Sequence, residues 1–99
     1  MITVEINGIE YPVRYSLRAL KKFEQQTKKS VFALGDTSQL SAEACAWLVY
    51  VGIADGAKFA GNEFDLKLAE IEGHIDLTHV EQCIGALQHG TQPQGKKKR

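Results

Sequence analysis

The chain has little of several things, and each shortage closes a class of explanation. Two cysteines in 99 residues are too few for the disulfide framework of a small secreted domain. No apolar stretch reaches the roughly 20 residues that a membrane-spanning helix needs. The start, Met1-Ile2-Thr3-Val4-Glu5, lacks the basic residues and the long apolar core of a signal peptide, which predicts a cytoplasmic protein. Motifs of catalysis are missing as well. Glycines 8, 35, 52, 56 and 61 form no phosphate-binding loop, and no Ser or Cys has a nucleophile-elbow context. Glu70 and Glu72 point in different directions on a helix and make no acid–base couple. His79 and Cys83 are four apart, as two metal ligands can be, but no second pair completes a tetrahedral site, and His74 and His89 do not supply one. An enzyme is therefore not expected, nor a metal or a cofactor.

What is present is enough for one small domain. Hydrophobic residues make up 43% of the chain, which suits a single modest core over residues 1–90. The centre of that core is Ala44-Cys45-Ala46-Trp47-Leu48-Val49-Tyr50-Val51-Gly52-Ile53-Ala54, which holds no charge. It is longer than an ordinary strand and too short to span a bilayer, so it predicts a buried central helix. Ser41 supplies an N-cap before Ala42-Glu43, and Gly61-Asn62 supplies a stop. Gly52 and Gly56 share one face, where they either let another backbone come close or are merely tolerated. Cys45 and Cys83 fall in apolar helical patterns and read as reduced, buried thiols.

Before this helix, Ile2–Ile6 and Ile9–Val13 alternate apolar and polar residues around Asn7-Gly8, the signature of a tight hairpin. Its register pairs Ile6 with Ile9, Val4 with Tyr11 and Ile2 with Val13, all six side chains facing the core. Pro12 then falls where its missing amide would point away from the partner strand. The outer edge of Ile2–Ile6 has no such block and is either covered or open to strand addition. Next comes a helix capped by Ser16, with Leu17, Leu20 and Phe23 toward the core and Arg18, Lys21, Lys22 and Gln25 opposite. Val31, Phe32 and Leu34 are expected to fold back on the core.

After the central helix, Asn62 or Asp65 can cap a third helix with Phe64, Leu68, Ile71 and Ile75 on one face and Glu63, Glu70 and Glu72 exposed. A fourth starts near Asp76 or Thr78, buries Leu77, Val80, Ile84 and Leu87, and stops at Gly90. Residues 91–99 lack any apolar side chain and read as a disordered basic tail. The whole is an α+β fold, an N-terminal β-hairpin packed on a small bundle of about four helices.

Formal net charge is zero, yet the charges are segregated. Residues 1–29 hold six bases and three acids, residues 30–95 two bases and nine acids, and four bases end the chain. Segregation of this kind favours steering and head-to-tail or hetero-association. The basic helix face is either a solvated surface or a binding surface. The neutral total and the acidic body argue against nucleic acid as the partner, although the terminal bases and this face could both meet phosphates.

The order of these parts resembles the tail assembly chaperones of long-tailed, siphovirus-type bacteriophages and prophages. The resemblance rests on the Asn7-Gly8 hairpin and on Leu17-Arg18-Ala19-Leu20-Lys21-Lys22-Phe23-Glu24 against a Leu-x-x-Leu-x-x-Phe/Leu-Glu helix. It rests also on Thr27-Lys28-Lys29-Ser30 against a Thr-Gly-Lys-Ser-like end, with Lys28 in place of Gly, and on Leu48-Val49-Tyr50-Val51-Gly52-Ile53 as the buried helix. It covers roughly residues 2–87. The resemblance implies a non-enzymatic chaperone, acting as a homo-oligomer, that binds and solubilises the tape measure protein in the cytoplasm of the host bacterium and is not retained in the virion. Further partners it implies are a longer form of the same protein made by translational frameshift, for which Gly95-Lys96-Lys97-Lys98 suits a purine-rich slippery site, and the tail tube protein. Competing classes are a structural tail or head–tail joining protein and a small nucleic-acid-binding regulator. For partner binding the candidates are Arg18, Lys21 and Lys22 on the basic face, and Trp47 and Tyr50 where four short elements leave one side of the central helix uncovered.

Overall fold

The structure, a computed structural model, describes residues 2–29 and 41–91. Strands β1 (Thr3–Ile6) and β2 (Ile9–Pro12) are followed by helices α1 (Leu17–Thr27), α2 (Ala42–Phe59), α3 (Leu68–Glu72) and α4 (Leu77–Thr91). The strands pair antiparallel in the expected register, Ile6 opposite Ile9 and Val4 opposite Tyr11. Asn7 and Gly8 turn the chain with φ of 56° and 83°, the positive values that a type I′ turn requires. Val13 N–H donates to Ile2 C=O at 2.9 Å, so the ladder resumes past Pro12 and its missing amide costs no bond between the strands. The fold is thus the α+β hairpin-and-bundle that the sequence predicts. Val31, Phe32 and Leu34 and the tail beyond Thr91 lie outside the described residues.

Helix α2 is the axis. Its N-cap is Ser41, whose Oγ accepts from Ala44 N–H at 3.1 Å. At the other end Asn62 N–H reaches Ala57 C=O (2.9 Å) and Gly61 N–H reaches Lys58 C=O (3.1 Å), the paired bonds of a Schellman stop, with Gly61 at φ 79°. Leu48, Val49 and Ile53 are fully enclosed, and Phe23, Ile71, Val4 and Cys83 close around them from α1, α3, β1 and α4. Both thiols are free and buried, as read from their apolar setting.

Gly52 and Gly56 do bring a backbone close, and the backbone is that of residues 12–16. A Cβ on Gly56 would collide with the Pro12 carbonyl, and one on Gly52 would lie 2.6 Å from the Tyr15 ring. Arg14 N–H donates to Gly52 C=O (3.1 Å), Tyr15 O–H to Leu48 C=O (2.6 Å), and Ser16 N–H to Asp55 Oδ2 (3.1 Å). The segment from β2 to α1 is therefore strapped along one face of α2. The strap fixes where α1 begins, because Ser16 is also the N-cap of α1 and accepts from Ala19 N–H.

Four expectations are corrected. The third helix does not start at Asn62 or Asp65: residues 62–67 are non-helical, and α3 is a five-residue helix opened by Lys67, whose N–H is taken by the Glu70 carboxylate at 2.8 Å. In the hairpin, Ile9 is 55% exposed, because the turn end reaches past the core and overhangs α3 across a shallow gap. Leu17 and Leu77 are 79% and 68% exposed instead of buried. Each opens its helix, and the buried stripes are set one turn in, by Ala19, Leu20 and Phe23 in α1 and by Val80, Cys83 and Leu87 in α4. Of the two caps offered for α4, Asp76 is used, its Oδ1 accepting from Thr78 N–H (2.9 Å) and His79 N–H (3.4 Å). Helix α4 also runs one residue past Gly90.

Candidate partner-binding surface

Four rings run in a row along one side of the molecule. Tyr11 of β2 meets Phe64 edge-on at 6.1 Å, Phe64 meets Tyr50 at 5.6 Å, and Tyr50 meets Trp47 at 5.6 Å. All four are half-buried, so each ring packs inward while leaving part of its area at the surface. Edge-to-face pairs of this sort contribute about 0.5–1.5 kcal/mol each beyond burial. The non-helical course of residues 62–67 makes the row continuous, because it sets Phe64 between the hairpin and α2.

The basic face of α1 borders this row. Lys22 Nζ lies 5.8 Å from the centre of the Tyr50 ring, within range of a cation–π contact. Arg18 and Lys22 share a depression of about 190 Å³ with Tyr50, Ala54 and Lys58. Of the five residues singled out from the sequence, four thus converge: Arg18, Lys22, Trp47 and Tyr50. Lys21 is exposed on α1 and does not line that depression. Ile53, one turn along α2 from Tyr50, is fully enclosed and does not join the surface. Phe64 and Tyr11 join the surface without having been singled out. Phe64 is four residues before Leu68, a spacing that looks helical, and Tyr11 looks like a simple core position of the hairpin.

Chemically the surface offers rings and ammonium or guanidinium groups, and no nucleophile. The titratable groups with displaced pKa values lie elsewhere and are structural. Burial pushes the Cys83 thiol up to about 11, and burial together with the neighbouring Cys83 raises the Tyr15 hydroxyl well above its usual value. Burial also raises the Cys45 thiol. Thiols held protonated in this way are core groups and poor nucleophiles. His79, the other half of the sequence's two-ligand pair, is engaged separately. Its Nδ1 lies 3.1 Å from Asp76 Oδ1 and 3.0 Å from the Asp76 amide, and its Nε2 donates to Glu5 C=O (2.8 Å). That bond covers part of the outer edge of β1. The Asp76 carboxyl is held below its usual range chiefly by its hydrogen bond to His79.

Among the described residues no group of three or more His, Cys, Asp or Glu side chains is placed to hold a metal ion, and no helix is long and apolar enough to cross a membrane. Comparison of the chain with protein-family models, with curated proteins and with solved structures finds no match in any of the three.

Proposed function

We propose that this chain is a non-enzymatic protein-binding module, and specifically a tail assembly chaperone that binds and solubilises the tape measure protein of a long-tailed bacteriophage in the host cytoplasm. The observation that carries the reading is the Trp47–Tyr50–Phe64–Tyr11 row with Lys22 and Arg18 beside it. Half-buried rings present flat, stiff apolar area at a low entropy cost, and bases beside them pair with acids on the polar flank of an amphipathic helix. A long helical client with repeated apolar stripes is the kind of ligand such a surface suits. Binding it several times over, by a homo-oligomer and by a longer frameshifted form, would keep those stripes from aggregating until tube subunits replace the chaperone.

The family resemblance gains support from a backbone detail. Lys28 ends α1 in the left-handed region, φ 60° and ψ 26°, with its N–H on Glu24 C=O at 2.8 Å. The family pattern has Gly at this position, and Gly is the residue that adopts this conformation without strain.

A second reading has an observation of its own. Lys22 over Tyr50 places a base against a ring, the pairing that single-stranded nucleic acid uses for stacking and phosphate contact. The experiment that separates the two is co-expression with the tape measure protein encoded in the same genome. The chaperone reading predicts that the client becomes soluble and co-purifies, that the protein is missing from purified particles by mass spectrometry, and that it shows no retention on single-stranded DNA at low salt. A client that stays insoluble overturns it, presence in the particle moves the protein to the structural class, and salt-dependent DNA retention moves it to the regulators.

A further inference from the structure

The two ends of α2 carry unlike surfaces. At the C-terminal end Phe59 is 59% exposed and lies beside exposed Leu17, lining one open depression with Arg14, Arg18 and Lys58. The Arg14 guanidinium sits 4.2 Å over the Phe59 ring and pairs with Asp55 at 3.7 Å, so a large apolar ring is presented in a basic setting. At the N-terminal end an open groove of about 680 Å³ runs between α2, the end of α3 and the start of α4. Ala46, Ile75, Leu77 and Val80 give it an apolar lining, and Glu43, Glu72 and Asp76 are the charges that line it among the described residues. Leu77, at 68% exposure, stands at this groove as Leu17 stands at the other patch. Among the described residues Leu17, Phe59, Leu77 and Ile9 are the large hydrophobics left exposed, and three of the four mark these two sites.

We infer that the two sites bind each other: the Leu17–Phe59 patch of one copy docks in the Leu77 groove of a second copy of this chain. The apolar parts match in kind, and the charges match in sign, Arg14, Arg18 and Lys58 against Glu43, Glu72 and Asp76. The 18 residues of α2 separate the sites by roughly 27 Å at a helical rise of 1.5 Å per residue. The contact is therefore between unlike surfaces, basic end to acidic end. Repeated, it closes into a two-fold pair or ring in which each end is used, or runs on as a chain. Within each copy Glu43 in the first turn of α2 and Lys58 in its last turn have the signs that the helix dipole favours. This contact names the surfaces of the multimer in the proposed function, but it needs no client, and Trp47 and Phe64 lie outside it.

The test uses the full chain alone, by light scattering and sedimentation. Wild type is expected above monomer mass at micromolar concentration, with the multimer loosening as salt is added. L17E/F59E, which spoils the basic end, and L77K, which spoils the acidic end, are each expected to be monomeric, folded by circular dichroism because the replaced side chains are exposed. An equimolar mixture of the two is expected to give a dimer and nothing larger, since it leaves one intact end of each kind. A monomeric wild type up to about 100 μM, variants that keep the wild-type mass, or a mixture that stays monomeric would each overturn the inference. Should a variant fail to fold, R14E and E72K alone and mixed carry the same expectation, a smaller mass singly and recovery together, and lack of recovery overturns it. Loss of client binding with the multimer intact would instead count against the proposed function.

Discussion

The side of α2 that carries Leu48, Gly52 and Gly56 is covered by the Pro12–Ser16 strap, its backbone over Gly56 and the Tyr15 ring over Gly52, whereas the side that carries Trp47 and Tyr50 is covered by side chains alone, rings and the tip of a lysine. On the first side Pro12–Ser16 lies so close that two glycines are needed, two backbone N–H groups and the Tyr15 hydroxyl find acceptors on α2, and Leu48 has no exposure. On the second side contacts are between side chains, and every ring keeps some surface. A helix apolar all round does not have to be treated alike all round. A strap tied to α2 by three hydrogen bonds is specific and hard to rearrange, whereas the ring-covered side is held by side-chain contacts that leave part of each ring at the surface.

Substitutions should divide accordingly. The largest effect is expected for Leu48→Ala, which opens a cavity beneath the strap and should cost about 2–5 kcal/mol in urea unfolding. Gly56→Ala comes next. Its methyl meets the Pro12 carbonyl, which as backbone cannot swing aside, and a net loss of about 2 kcal/mol is expected although Ala is the better helix former by about 1 kcal/mol. If Gly56→Ala were instead stabilising, the close approach of the strap would be wrong. Lys28→Gly acts in the opposite direction, relieving a left-handed residue and raising stability by about 1 kcal/mol, to be read as a higher unfolding midpoint. The smallest change in stability, within about 0.5 kcal/mol, is expected for joint reversal of the exposed Arg18, Lys21 and Lys22.

Much of this division can be read in the residues. The hairpin register follows from Asn7-Gly8 and strict alternation, and the ends of α2 follow from Ser41 and Gly61, since each of these is a local rule with a local cause. Gly52 and Gly56 announce a close approach by their spacing. What approaches is not legible, because Tyr15 meets Leu48 across 33 residues of sequence and Ser16 meets Asp55 across 39, and only the folded chain brings them together. Leu17 and Leu77 were misassigned for a simple reason. Periodicity identifies the apolar face of a helix but not the point along it where the core stops, and both residues sit at a helix start beyond that point. Phe64 was misplaced because one spacing of four mimics a helix. Helix α3 has only five residues, and Phe64 lies before it with its ring paired to Tyr11 and Tyr50.

The candidate surface was legible in part for the same reason. Arg18, Lys21 and Lys22 are recognisable as a basic helix face, and Trp47 and Tyr50 as the bulky positions of a helix with too few neighbours. Their meeting depends on how α1 crosses α2, which the strap sets. Lys22 thereby reaches Tyr50, and Lys21, one residue away on the helix, does not line the same depression.

That the basic face beside the ring-covered side of α2 binds a client without supporting the fold is the proposal on which the functional reading depends. It is tested most directly by titrating purified tape measure protein, encoded in the same genome, against wild type and against the variant with Arg18, Lys21 and Lys22 reversed to Glu, with thermal unfolding recorded for both. An unchanged melting temperature is expected, with an affinity lowered at least about tenfold, the equivalent of 1.4 kcal/mol. Equal affinity in the two proteins, or a variant that loses affinity only because it has unfolded, would contradict it.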